Sequence, residues 1–202
     1  FGYDSGGNTP TTVYTTIDKF PFASDSSATS SGDLTLARFA SGGQSSSVSG
    51  YTSGGFDPAT PPTTDTIDKF PFSSDTNATD VGNLTQARGN NMGGNSSESS
   101  GYNTGGTTGP PAIINTIDKF PFSTDTNATD VGDLTAVLNG GSGQSSVTFA
   151  FYSGGGVPNP SPPPGTNNVA DIEKFPFASD SNSVDAGFDL SQARRFGAAQ
   201  QV

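Results

Sequence analysis

The chain predicts an all-β repeat protein, on three observations. A seven-residue motif recurs at a nearly constant period. Gly, Ser, Thr and Asn dominate while helix formers are scarce. The apolar residues, though few, recur in fixed clusters. Leu, Ile, Val and Phe make up just under a fifth of the 202 residues, a level at which disorder competes with folding. The clustering and the modest charge of -11 spread over the chain favour folding. Phe alone supplies 15 residues. Each buries on the order of 150–250 Å², so a thin core made mostly of Phe is feasible.

The repeat has three anchors. The first is the glycine pair, in Gly2 to Gly7, Gly50 to Gly55, Gly101 to Gly106, and Phe151 to Gly155. An aromatic strand leads into it, and the glycines supply backbone conformations closed to other residues. A strand is expected over Ser45–Tyr51, running into Gly54 and Gly55. A variable loop follows: Asn8–Thr15, Phe56–Asp65, Thr107–Asn115 and Val157–Asn168.

The second anchor is identical at Thr16–Phe22, Thr66–Phe72 and Thr116–Phe122, and diverged at Ala170–Phe177. Lys19, Lys69, Lys119 and Lys174 mark spacings of 50, 50 and 55 residues. Each copy predicts a strand that stops at its Pro, which has no N–H to give a ladder. Adjacent Asp and Lys point to opposite faces of such a strand. Repetition of that pair predicts a role between units rather than catalysis. Phe20, Phe70, Phe120 and Phe175 are expected in the core.

The third anchor is an Asx-rich turn followed by Leu: Asp25–Leu34, Asp75–Leu84, Asp125–Leu134 and Asp180–Leu190. Asp and Asn bond to their own backbone in such turns. Oxygen ligands in a Gly-containing loop also suit Ca²⁺, but the spacing departs from the EF-hand pattern. The expectation is therefore a plain turn, with no metal and no cofactor. Leu84–Arg88 is expected to be a short last strand or its approach. Arg38, Arg88 and Arg194 close three copies and are expected to bond carbonyls or carboxylates between units. The third copy has Val137 and Leu138 there instead.

This order of anchors resembles the kelch repeat, which runs about fifty residues. Gly54 and Gly55 fit its glycine pair, Phe70 its next aromatic strand and Arg88 its arginine. The usual Trp is absent, with Leu84 near its place. The Ile-Asp-Lys-Phe-Pro-Phe version is similar to repeat proteins of marine phages, notably cyanophages. The resemblance implies a β-propeller of four-stranded blades, with another all-β repeat or solenoid as the alternative. The expected units are 1–49, 50–100, 101–150 and 151–202 of one domain, residues 1–7 completing the last. It also implies a tail-fibre or decoration protein at a virion surface, or an extracellular protein.

Composition bounds the function. The acidic balance argues against nucleic acid, which is bound through Lys and Arg. No apolar run is long enough for a membrane-spanning helix. No leader is visible and the first residue is Phe1, as expected of a processed or trimmed N-terminus. His and Cys are absent and Glu is limited to Glu98 and Glu173, so the common triads are excluded and no enzyme is expected. Variable loops on a repeated scaffold predict recognition of a glycan or protein receptor. Tyr14, Phe56, Asp57, Asp65, Thr107, Thr108, Asn159 and Asn167 are the candidate contacts. Assembly with other copies or with virion proteins, as a fibre or capsid component, is the alternative.

Overall fold

The computed structural model describes residues 1–58, 62–90, 93–109, 112–159 and 165–198. Within them the fold is all-β, with no α-helix. Each repeat yields one antiparallel sheet whose strands follow chain order.

The first sheet has three strands: β1 (Gly2–Ser5), β2 (Thr16–Phe20) and β3 (Thr29–Asp33). The second has four: β4 (Gly42–Ser45), β5 (Ser49–Ser53), β6 (Thr66–Pro71) and β7 (Thr79–Asn83). The third is β8 (Gly93–Ser96), β9 (Ser100–Thr104), β12 (Thr116–Pro121) and β13 (Thr129–Asp133). Between β9 and β12 stands a separate small hairpin of β10 (Thr107–Gly109) and β11 (Ala112–Ile113). The fourth is β14 (Ser142–Ser145), β15 (Phe149–Ser153), β18 (Ile172–Pro176) and β19 (Val184–Asp185). Its small hairpin is β16 (Gly156–Asn159) with β17 (Gly165–Asn168).

Three expectations are corrected. Residues 45–51 are not one strand but the end of β4, a turn, and the start of β5. The Ser46 hydroxyl accepts the N–H groups of Val48 and Ser49, which bends the chain there. The fourth strand is β7, placed inside the stretch read as turn, while residues 84–88 form no strand. The connection is residues 72–78, and a bulge shifts the pairing between Ile67 and Asp68, so that Ile67 faces Gly82 and Asp68 faces Asp80. Finally, the sheets span 42–83, 93–133 and 142–185, which do not coincide with the units 50–100, 101–150 and 151–202. Residues 1–7 do not complete the last sheet, because β1 pairs with β2 and the last sheet already holds four strands.

The core lies in the seams between consecutive sheets. Strand alternation sends Asp68, Phe70 and Phe72 to one face of the second sheet and Ile67 and Lys69 to the other. Phe70 and Phe72 pack on Tyr3 of the first sheet, at 5.5 and 4.9 Å between ring centroids. Phe120 and Phe122 meet Tyr51 in the same way, and Phe175 and Phe177 meet Tyr102. Ile17, Ile67 and Ile117 are fully buried in these three seams. The inner strands β4, β8 and β14 stack through glycine. A Cβ on Gly94 would lie 2.3 Å from the Gly43 carbonyl oxygen, and one on Gly143 2.4 Å from that of Gly94.

Candidate recognition surface

The variable loops spring from one end of the sheets, and the glycine pair is the reason. Gly54 and Gly105 have φ of 62° and 63°, in the left-handed region. A Cβ at Gly105 would also meet the Leu138 carbonyl oxygen at 2.5 Å. The second glycine of each pair, as at Gly7, Gly55 and Gly106, donates its N–H to the carbonyl of Arg38, Arg88 or Leu138. The base of every loop is thereby clamped while its tip is free to vary. The later loops are also tied at their bases to the segments that link each sheet to the one before. Phe56 bridges Phe39, Thr107 bridges Gly89 and Gly156 bridges Asn139.

The candidate contacts separate on this surface. Tyr14 is exposed, as is Asn167 on β17. Asp57, Thr108 and Asn159 are half-buried near the tips. Phe56 is half-buried with its ring on Phe39, 5.5 Å away, so it braces a loop base. Asp65 sits at a base too, its carbonyl accepting the Leu84 N–H. Thr107 is a correction: it is buried, and its hydroxyl donates to the Ala112 carbonyl at 2.6 Å. A hydrogen bond inside the hairpin has taken the group that would have met a ligand. Residues 59–61, 110–111 and 160–164, within the variable segments, lie outside the described residues, as do 199–202.

The remaining repeated residues hold the sheets together. Asp68 is fully buried and accepts the N–H and hydroxyl of Thr35 at 2.9 and 2.7 Å. It also accepts Arg38 Nη2 at 2.7 Å. Arg38 donates further to the carbonyls of Thr66 and Thr52. Burial lowers the Arg38 guanidinium from its ordinary value, and Asp68 pulls it back up. Arg88, Asp118 and Thr85 repeat this arrangement. Lys19, Lys69 and Lys119 reach across to Asp75, Asp125 and Asp180 at 2.9, 2.9 and 2.8 Å. Those hydrogen bonds raise the three lysines above their ordinary value. Lys174 instead lies over Phe149.

Asn77 and Asn127 accept the N–H groups of Asp33 and Asn83 from the preceding sheet. The Asx-rich turns therefore spend their oxygens on backbone and on lysine. Among the described residues, no group of three or more His, Cys, Asp or Glu could hold a metal ion.

The third seam differs. Leu138 replaces the arginine, Glu173 the aspartate, and Tyr152 the Thr52 or Asn103 of the other sheets; all three are buried. Glu173 accepts the Thr135 N–H and hydroxyl at 2.8 and 2.7 Å, and the Ser183 hydroxyl as well. Departures scattered along the sequence thus meet in one interface, where apolar bulk takes the place of the cation.

A cleft of about 500 Å³ was not foreseen. It runs along the inner strands and is lined by Tyr3, Gln44, Ser45, Ser96, Gln144 and Ser145 among others. The recurrent Gln-Ser or Asn-Ser at the end of each inner strand was its only signal in the sequence.

No protein-family model and no curated protein matches the chain. A solved structure described as "Structure of YjhT" is similar to it, with a TM-score of 0.78 at 11% identity. The match covers 97% of this chain and 70% of that one, a likeness of fold alone.

Proposed function

We propose that the four sheets are kelch-like blades of a β-propeller arrangement, and that the protein is a non-enzymatic recognition module. It binds a glycan or protein receptor through the tips of its variable loops. A virion surface or an extracellular setting suits that role, in line with the resemblance to phage repeat proteins. The carrying observation is the contrast between clamped loop bases, repeated from sheet to sheet, and loop tips that differ in length and sequence. Loops on a rigid scaffold are where binding residues concentrate. Four-stranded meanders packed face to face, with their inner strands stacked, support the propeller reading.

The test is an array of immobilised neutral glycans and candidate receptor proteins probed with the purified chain. Binding is expected to drop at least about tenfold in a Tyr14→Ala, Asn167→Ala double variant, roughly 1.4 kcal/mol. Thermal stability should be unchanged, because both side chains are exposed. A ligand whose affinity ignores these substitutions would move the site to the inner-strand cleft.

A further inference from the structure

We propose that this fold forms only where Asn-x-Ser/Thr sequons are left unglycosylated, so that the chain is made in a cytosol, or in a cell without an N-glycosylating secretory pathway. The inference stands apart from the recognition reading and holds whatever the loops bind. Four sequons occur in the chain, at Asn77, Asn83, Asn95 and Asn127. The fold sorts them into three that can carry a sugar and one that cannot.

Asn77, Asn83 and Asn127 are exposed. Asn77 and Asn127 engage only Oδ1, which accepts the N–H of Asp33 or Asn83 at 3.1 Å. The Nδ2 atom of each of the three makes no hydrogen bond among the described residues. A glycan is attached through that nitrogen. Nδ2 bonds to the anomeric carbon of a lipid-pyrophosphate-linked oligosaccharide, the lipid pyrophosphate leaves, and one amide proton is lost. At these three sites the new bond breaks no contact of the fold.

Asn95 is different. It lies on β8, only 2% exposed, in the seam between the third and fourth sheets. Its Nδ2 donates to the Gln144 carbonyl at 2.6 Å and to the Phe151 carbonyl at 3.2 Å. The adjacent Ser96 N–H donates to the Ser145 hydroxyl at 3.0 Å, and a Cβ on Gly143 would lie 2.4 Å from the Gly94 carbonyl oxygen. The two inner strands are therefore in direct contact around Asn95. A sugar ring on Nδ2 would need the space that the Gln144 or Phe151 backbone fills. Only opening the seam makes room, and that seam holds the core cluster of Tyr102, Leu138, Tyr152 and Phe175.

The equivalent position holds Gln44 in the second sheet and Gln144 in the fourth. Gln44 Nε2 reaches the Tyr102 carbonyl at 3.0 Å, the same strap that Asn95 makes to Phe151. The seam calls for an amide there, and Asn in place of Gln turns that amide into a sequon. The glycosyl transferase acts on the chain before it folds, so burial in the finished fold gives Asn95 no protection. Glycosylation at Asn95 and formation of this seam exclude each other.

The experiment expresses the chain behind a cleavable secretion signal in a eukaryotic host, and also in bacterial cytosol, beside Asn95→Gln and Ser97→Asp. Both substitutions remove the sequon. Gln is the residue of the neighbouring copies. Asp keeps a side-chain oxygen for the Ser99 and Ser100 N–H groups, which the Ser97 hydroxyl accepts at 3.3 and 3.0 Å. From bacteria all three chains should fold with the same thermal midpoint. In the eukaryotic host the wild type should be retained or aggregated, with peptide mass spectrometry placing a glycan on Asn95. Both variants should be secreted folded, with glycans on Asn77 and Asn127. Ser97→Asp leaves Asn95 in place and carries the test should Asn95→Gln fail to fold. A folded, secreted wild type would overturn the proposal, whether its Asn95 is glycosylated or bare. So would a retained wild type with bare Asn95, or retention of both variants.

Discussion

At the scale of single residues, the strongest constraint is the buried Arg38–Asp68 pair and its copy at Arg88–Asp118. Both partners are fully buried, so neither tolerates loss of the other. Arg38→Leu leaves Asp68 with only Thr35 to answer it and is expected to cost about 3–5 kcal/mol. Urea unfolding followed by tyrosine fluorescence measures this, and a loss below about 1 kcal/mol would show that the Thr35 hydrogen bonds suffice. Replacing both charges by apolar groups of similar volume should be far milder. Gly105→Ala is the second residue-level prediction. Its positive φ and the 2.5 Å approach to the Leu138 carbonyl both oppose a Cβ. A loss of more than about 1 kcal/mol is expected in the same assay.

At the scale of elements, identical strands have different worth. The Thr16–Phe22 and Thr66–Phe72 segments share one sequence, yet Phe70 is packed on Tyr3 while Phe20 faces solvent. Phe70→Ala is expected to cost about 3–5 kcal/mol, by lost burial plus the cavity left behind. Phe20→Ala in the single chain should cost well under half as much. Equal losses would mean that Phe20 is already covered in solution. Much of each element was legible in advance. The proline ended its strand, the glycine pair marked the loop base, and Asp and Lys took opposite faces. Strand β7 was hidden because Asp80 and Gly82 read as turn formers. Its register rests on a bulge and on contacts with the next sheet, neither of which leaves a local mark.

At the scale of the whole molecule, alkaline pH should be the main chemical threat. Burial raises the phenols of Tyr51, Tyr102 and Tyr152 above their ordinary value, so the folded state keeps protons that the unfolded chain releases from about pH 10 upward. The lysines act in the same direction. Raised by their aspartates, they contribute stability below the ordinary lysine value of about 10.4, and it is lost as pH climbs through their folded values. Stability should therefore fall above about pH 10, with phenolate absorbance lagging until unfolding. A urea midpoint that stays constant from about pH 9 to about pH 11 would contradict this.

The sequence by itself determined the repeat, the all-β class, the order of anchors within each unit and the division between constant bases and variable tips. These are local or periodic properties, carried by turn chemistry, strand parity and self-similarity. Only the tertiary structure decided which copies of a residue are buried. Phe20 and Phe70, or Arg194 and Arg38, are alike in their own stretches of chain and differ in having a neighbouring sheet. The tertiary structure also gathered Leu138, Tyr152 and Glu173 into one seam, made Thr107 a brace rather than a contact, and set the inner strands around a cleft. Burial in a stacked array depends on what lies across each face, and no residue carries that information alone.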